Sequence, residues 1–142
     1  DAIDQQLPVG VFNNVISKES CVMPRGKSQI DIWALRGDTL HIFELKRSDN
    51  IMVGIISELM YYVNIMNDIK NRRIKYPQNA KHCKYRNFDI LYNSINSNKV
   101  HSIKGHFLAT KLHPLISPAV IILINDSYIY KMENIEYSYI PL

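Results

Sequence analysis

The sequence is short of cysteine: Cys21 and Cys83 are the only two in 142 residues, and neither sits in a metal-knuckle spacing. A disulfide framework is therefore excluded, and both are expected to be free thiols in a reducing compartment. There is no glycine-rich phosphate loop and no Ser or Cys nucleophile elbow, which removes the common routes to nucleotide cradling and acyl transfer. No apolar run reaches the roughly 18 residues that a membrane-spanning helix needs. The chain opens Asp1-Ala2-Ile3-Asp4, with no basic region ahead of an apolar stretch, so a secretory signal is not expected. A cytoplasmic domain with no membrane partner follows from these absences. There is no initiator Met, and the chain reads as a processed product or a piece of something longer. Internal repeats and low-complexity linkers are also missing.

What is present is an ordinary globular mix, 46% hydrophobic and 21% charged. A chain of this length makes a single domain over 1–142 with a core that stands without staples. The formal net charge of +4 permits nucleic acid as a partner without demanding it. Basic residues gather, however, in one stretch: Lys70, Arg72, Arg73, Lys75, Lys81, Lys84 and Arg86, with His82 among them. Such a stretch is either a solvated face or a surface that follows phosphates.

Short strands are expected at 9–16 and 19–23, then a loop at Pro24-Arg25-Gly26-Lys27. The clearest element follows: Ser28 to Arg36, a Gly37-Asp38 turn, and Thr39 to Arg47. Gly-Asp between two β-rich runs is a strong two-residue hairpin signal. Asn50 to about Asn71 reads as a helix, with Ser48, Asp49 or Asn50 as its cap. A basic, partly helical insertion spans about 70–98, with a second helix near Phe88–Ile95. Strands are expected at His106–Leu112, Ala119–Ile124 and Tyr128–Met132, the last two joined by a turn at Asn125-Asp126. The sum is an α/β fold with a central mixed sheet flanked by helices.

With Gly37 and Asp38 as the loop, Arg36 faces Thr39, Leu35 faces Leu40, Trp33 faces Ile42, and Asp31 faces Glu44. Strand alternation puts Lys46 on that same face and Ile30, Ile32, Ala34, Phe43 and Leu45 on the other. Both faces are largely apolar, which suits a sheet covered on both sides. Two carboxylates side by side on such a face repel, and burial raises the cost. A divalent cation removes that penalty, because Mg²⁺ takes carboxylate oxygens as ligands. Lys46 reaches a metal-bound water or a phosphate from the same side. The plainer alternative is an ion pair between Lys46 and a carboxylate at a strand end. On the helix, Glu58 interrupts the apolar row Ile51, Ile55, Tyr62, Ile65, Ile69 and needs a partner, a cation or solvent.

An Asp on one strand, Glu-x-Lys on the next and an acidic residue on the following helix resemble the PD-(D/E)XK nuclease superfamily, the restriction-endonuclease-like fold. The likeness covers about 26–66: Ser28-Gln29-Ile30-Asp31-Ile32-Trp33, His41-Ile42-Phe43-Glu44-Leu45-Lys46-Arg47, and Gly54 to Tyr62 around Glu58. Ile30 stands where the pattern has Pro, and Glu58 where Gln is frequent. The resemblance implies metal-dependent phosphodiester hydrolysis, with DNA favoured over RNA. It implies Mg²⁺ or Mn²⁺ held by Asp31, Glu44 and the Leu45 carbonyl. Lys46 then orients the attacking water, and Glu58 supports the site. Arg25, Lys27 and Gln29 could contact the scissile backbone, and Arg72, Arg73 and Lys75 more distant phosphates. A homodimer or larger complex is compatible with so short a chain. His101, His106 and His113 lack zinc-site spacing and are expected to be structural or on the surface. Two rival readings use the same fold: a nucleic-acid-binding module that cannot cut, and a protein-interaction domain.

Overall fold

The computed structural model describes residues 1–10, 19, 28–47, 52–74 and 85–142. Within them a five-stranded mixed sheet runs in the order β1 (Ala2–Val9), β2 (Ser28–Arg36), β3 (Thr39–Lys46), β4 (Ser102–Ala109), β5 (Ile135–Pro141). The first three strands are antiparallel neighbours, while β3, β4 and β5 run parallel. The helices are α1 (Ile55–Lys70), α2 (Phe88–Asn96), α3 (Pro118–Asn125) and α4 (Tyr128–Glu133), with a 3-10 turn at Tyr85–Asn87. This is the α/β class expected, with a mixed sheet. None of these helices is long and apolar enough to cross a membrane.

The β2–β3 hairpin forms in the expected register, Arg36 with Thr39, Leu35 with Leu40 and Trp33 with Ile42. Its turn works because Gly37 adopts φ +59°, the sign a primed two-residue turn requires at its first central position. The register decides which face is buried. Trp33, Leu35, Leu40 and Ile42 join Ile103, Phe107 and Tyr137 under α1, which contributes Ile55, Leu59, Tyr62, Val63 and Met66. Each such side chain stabilises the fold by about 1.5–3 kcal/mol through loss of water contact. Gly105 on β4 lets the layers close. A Cβ there would lie 2.8 Å from Tyr137 Cδ1 and 2.9 Å from Val63 Cγ2. α2 reaches the same face through Phe88, whose ring lies 6.4 Å from Trp33, and α4 through Tyr130, 5.4 Å from Tyr137. α3 lies along the outer edge of β5. There the Asn125 side chain accepts from the Tyr137 N–H at 2.7 Å and donates to its carbonyl at 2.8 Å. One amide thus stands in for a strand residue and closes part of an otherwise open edge.

Several expectations are corrected. The segments expected as strands at 119–124 and 128–132 are helices, and Asn125-Asp126 joins two helices rather than two strands. Length and β-branched content favour strand for Ala119–Ile124. The competing signal is Ser117 followed by Pro118 at the first helical position, a helix start. The strand expected at His106–Leu112 runs instead from Ser102 to Ala109. Two strands went unread. One is β5, whose Ile135, Tyr137 and Tyr139 alternate with Glu136 and Ser138. The other is β1, which tolerates Pro8 because it is an edge strand. Apart from Val9 in β1, Gly10, which follows it, and Glu19, the strands expected at 9–16 and 19–23 lie outside the described residues. So do the loop 24–27 and the caps Ser48, Asp49 and Asn50. The helix itself begins at Ile55, with Gly54 in the cap position.

Ile30 is also corrected. It is fully buried in the same cluster as Trp33 rather than on the opposite face. Alternation slips between them. Leu7 pairs Ile30 and Gln5 pairs Ile32, so Gln6 falls opposite Asp31, and Gln6 has φ +56°. Asp31 is absent from the ladder on both sides, since the pairing of β2 with β3 starts at Ile32 with Phe43. A local ladder break of this kind re-aims a side chain.

Candidate active site

Asp31 sits at that break, and its carboxylate uses the freedom to reach across the hairpin. Its Oδ2 accepts the Leu45 N–H at 3.0 Å. Glu44 and Lys46 leave β3 on the α1 side, at the C-terminal end of the parallel strands. Lys46 Nζ donates to Glu44 Oε1 at 2.8 Å and to Glu58 Oε2 at 2.7 Å. The ends of β2 and β3 and the first turn of α1 therefore converge, and the four residues singled out in the sequence come together. The plain ion pair considered for Lys46 is present, and it is double. Open α/β sheets bind ligands beyond the carboxyl ends of their strands.

The charge does not balance. Asp31, Glu44 and Glu58 bring three carboxylates against one ammonium, a formal net of −2. Glu44 is 3% exposed, and its second oxygen, Oε2, is buried with no hydrogen-bond partner among the described residues. Burial foremost, and then the neighbouring Asp31 and Glu58 charges, push the Glu44 carboxyl up to about 7, against the pull of Lys46. Lys46 is itself partly buried, which alone would favour loss of its proton. Its hydrogen bonds to Glu44 and Glu58 outweigh that and hold it cationic, its pKa raised. The two shifts agree: the ammonium keeps its proton, and the surplus of negative charge falls on Glu44.

Tyr62, to which the sequence reading gave no role, belongs here. Its hydroxyl shares a 2.7 Å hydrogen bond with Ser28 Oγ. Burial raises its pKa, and the Glu44, Glu58 and Asp31 charges add to the rise while Ser28 opposes it. The available signal was spacing, since Tyr62 is one helical turn after Glu58.

The remaining residues singled out are placed elsewhere. Gln29 is exposed on β2, paired with Pro8. Arg72 and Arg73 lie past the far end of α1, roughly 20 Å along the helix from Glu58 at 1.5 Å per residue. Arg72 bonds the Asn96 carbonyl and Asn98 Oδ1, and Arg73 pairs with Asp68 and Glu133. The fold does not bring these two to the carboxylates. Arg25, Lys27 and Lys75 lie outside the described residues.

For a divalent cation, the orphaned Oε2 of Glu44 and the surplus of −2 beside Asp31 are a fit. Among the described residues, no three His, Cys, Asp or Glu side chains are grouped as a cage. A Mg²⁺ site needs only one or two carboxylates, because this ion keeps several waters.

A second polar group lies on the opposite sheet face. His41 Nδ1 and His106 Nε2 share a hydrogen bond of 2.9 Å, and His106 Nδ1 meets Ser138 Oγ at 2.7 Å. Phe43 stacks on His106 with centroids 4.6 Å apart. Burial, then the neighbouring His41 and Lys104, depress His106 to about 4, which keeps it neutral. His106 is thus a satisfied structural histidine.

Compared with protein-family models, curated proteins and solved structures, the chain matches none of them.

Proposed function

We propose that this chain hydrolyses phosphodiester bonds in nucleic acid with the help of a divalent cation, on a PD-(D/E)XK arrangement of Asp31, Glu44 and Lys46. The observation that carries the reading is the Glu44 carboxylate. It is buried, half unpartnered and driven toward protonation beside a second acid. A fold keeps so costly a group when a ligand relieves the cost. Asp31, Glu44 and the Leu45 carbonyl would hold Mg²⁺ or Mn²⁺, which when bound supplies an activated water and neutralises charge on the phosphate.

The chain's own residues do the rest. Asp31 is braced by the Leu45 N–H, so its free oxygen keeps a set direction. Lys46 stays cationic and, through its two carboxylate bonds, stands where it can donate to an attacking water or a phosphate oxygen. Glu58 holds Lys46 from the helix side and adds a carboxylate for a metal-bound water. The restriction-endonuclease-like fold and the preference for DNA over RNA come with the resemblance.

The test is cleavage of single- and double-stranded DNA and RNA with Mg²⁺ or Mn²⁺, for wild type, Asp31→Asn and Glu44→Gln. Both substitutions keep side-chain size, so the fold should persist. Wild type should cut only with metal, and either variant should lose about a hundredfold or more in rate, since each removes a proposed ligand and loss of an outer-shell partner alone typically costs about 10–100-fold. Mg²⁺ should also raise the melting temperature of wild type and leave that of Asp31→Asn unmoved. A wild type that neither cuts nor gains stability with metal would sink the reading.

A further inference from the structure

Lys46 commits two of its three N–H donors to Glu44 and Glu58, and its single charge is outweighed by the carboxylates of the site, so these four residues do not attract a polyanion by themselves. A formal −2 there repels phosphates. If the site works on nucleic acid, positive charge or hydrogen-bond donors for the neighbouring backbone have to come from elsewhere. The fold supplies candidates on the side of Lys46 away from Asp31. In the parallel pairing of β3 with β4, Lys46 lies beside Ala109. The chain leaving β4 therefore passes next to Lys46, and it carries Lys111 and His113. A shallow depression joins them: Lys46, Lys111 and His113 line it together with Met52, Ile55 and Leu112.

Both residues are poised as donors. Lys111 is exposed and has no ion-pair partner among the described residues. His113 Nδ1 accepts the Leu115 N–H at 3.2 Å, so in the neutral ring the proton sits on Nε2. That leaves an N–H for an outside acceptor. Met52, Ile55 and Leu112 make up the apolar part of its lining.

We propose that Lys111 and His113 form a phosphate-holding subsite beside the carboxylate cluster, seating a backbone phosphate next to the scissile one. The proposal rests on the nuclease reading above. It gives the site a polarity: Asp31 on β2, Glu44 and Lys46 on β3 between, and donors on the chain leaving β4. The strand to be cut then crosses the C-terminal ends of β3 and β4.

The test is fluorescence anisotropy with a labelled 12-nucleotide single-stranded DNA, without metal, at pH 8 and across a series of KCl concentrations. The proteins are wild type, Lys111→Ala, His113→Ala and, as a reference, Asp31→Asn. Each of the first two substitutions should weaken binding about tenfold, the effect of one lost charge-assisted hydrogen bond. Lys111→Ala should also lower the slope of log affinity against log salt by about 0.7, as one lost phosphate contact on a single strand does. His113→Ala should leave the slope alone. Asp31→Asn should bind at least as well as wild type, since it removes a negative charge. Affinity and slope unchanged in both Lys111→Ala and His113→Ala, with the melts of wild type retained, would overturn the subsite even if the protein cuts DNA. Wild type failing to bind the oligonucleotide would overturn it as well. Binding that depends on Lys111 and His113 in a protein that never cuts would uphold the subsite and overturn the nuclease reading instead.

Discussion

Glu44 and His106 sit on adjacent strands, one residue out of step, and point to opposite faces of the sheet. In register, Glu44 lies beside Phe107 and Phe43 beside His106. Both are nearly inaccessible, at 3% and 8% exposed, and burial is the largest influence on each. The outcomes differ. His106 becomes a neutral ring with a partner at each nitrogen, and nothing around it is left over. Glu44 keeps an oxygen with no partner and two like charges nearby. The same desolvation therefore yields a finished network on one face and an unfinished one on the other. Satisfied buried polar groups rigidify a core, whereas unsatisfied ones call for a ligand.

The largest expected effect concerns the finished side. His106 is depressed from 6.5 to about 4, so the unfolded chain takes up a proton that the folded chain refuses. The contribution is intact above pH 6.5 and is lost progressively as pH falls toward 4. The full loss is on the order of 3 kcal/mol. Urea unfolding at pH 7.5, 5.5 and 4.5 should show a steeper acid decline in wild type than in His106→Gln. Equal declines would mean that the ring is not held neutral by burial.

On the unfinished side the sign reverses. Glu44 is raised from 4.5 to about 7, so its contribution is present below pH 4.5 and disappears as pH rises through 7. Without metal, Glu44→Gln should therefore be more stable than wild type at pH 8. A gain of about 1–2 kcal/mol is expected, less than the shift alone implies because the amide bonds Lys46 more weakly than a carboxylate does. A loss of stability in that variant would make Glu44 a structural partner of Lys46, and the contrast with His106 would vanish.

The smallest effect isolates one hydrogen bond. Ser138→Ala strips His106 Nδ1 of its partner and should cost about 1 kcal/mol at pH 7.5. Melting curves would register it. No change would show that the histidine pair holds itself without the serine.

The two halves of the chain were unequally legible. Trp33, Leu35, Leu40 and Ile42 alternate cleanly around a Gly-Asp turn, so their strand pairing followed from covalent geometry and period two. The expected pairing of Asp31 opposite Glu44 did not, because the ladder stops at Ile32 with Phe43 and the Asp31 carboxylate takes the Leu45 N–H instead. Glu58 stood out as an acid in an apolar helical row. Pro118–Asn125 has no such contrast, being apolar on nearly all sides, and Tyr128–Glu133 is only six residues long, so periodicity cannot separate strand from helix in either run. Ile30 was misassigned for another reason: the slip opposite Gln6 involves two strands at once, and neither shows it alone.

By itself, then, the sequence determined the hairpin, its register, α1, and the acids and lysine that the hairpin and α1 carry, because these depend on contacts between near neighbours. Tertiary structure decided the rest. It placed β4 alongside β3, and with it Lys111 and His113 beside Lys46. It turned Tyr62 toward Ser28, and it paired His41 with His106 across 65 residues. These are contacts between segments far apart in the chain. They form because the apolar faces of β3, β4 and α1 must be buried together, and no local pattern encodes which distant side chains that burial brings into reach.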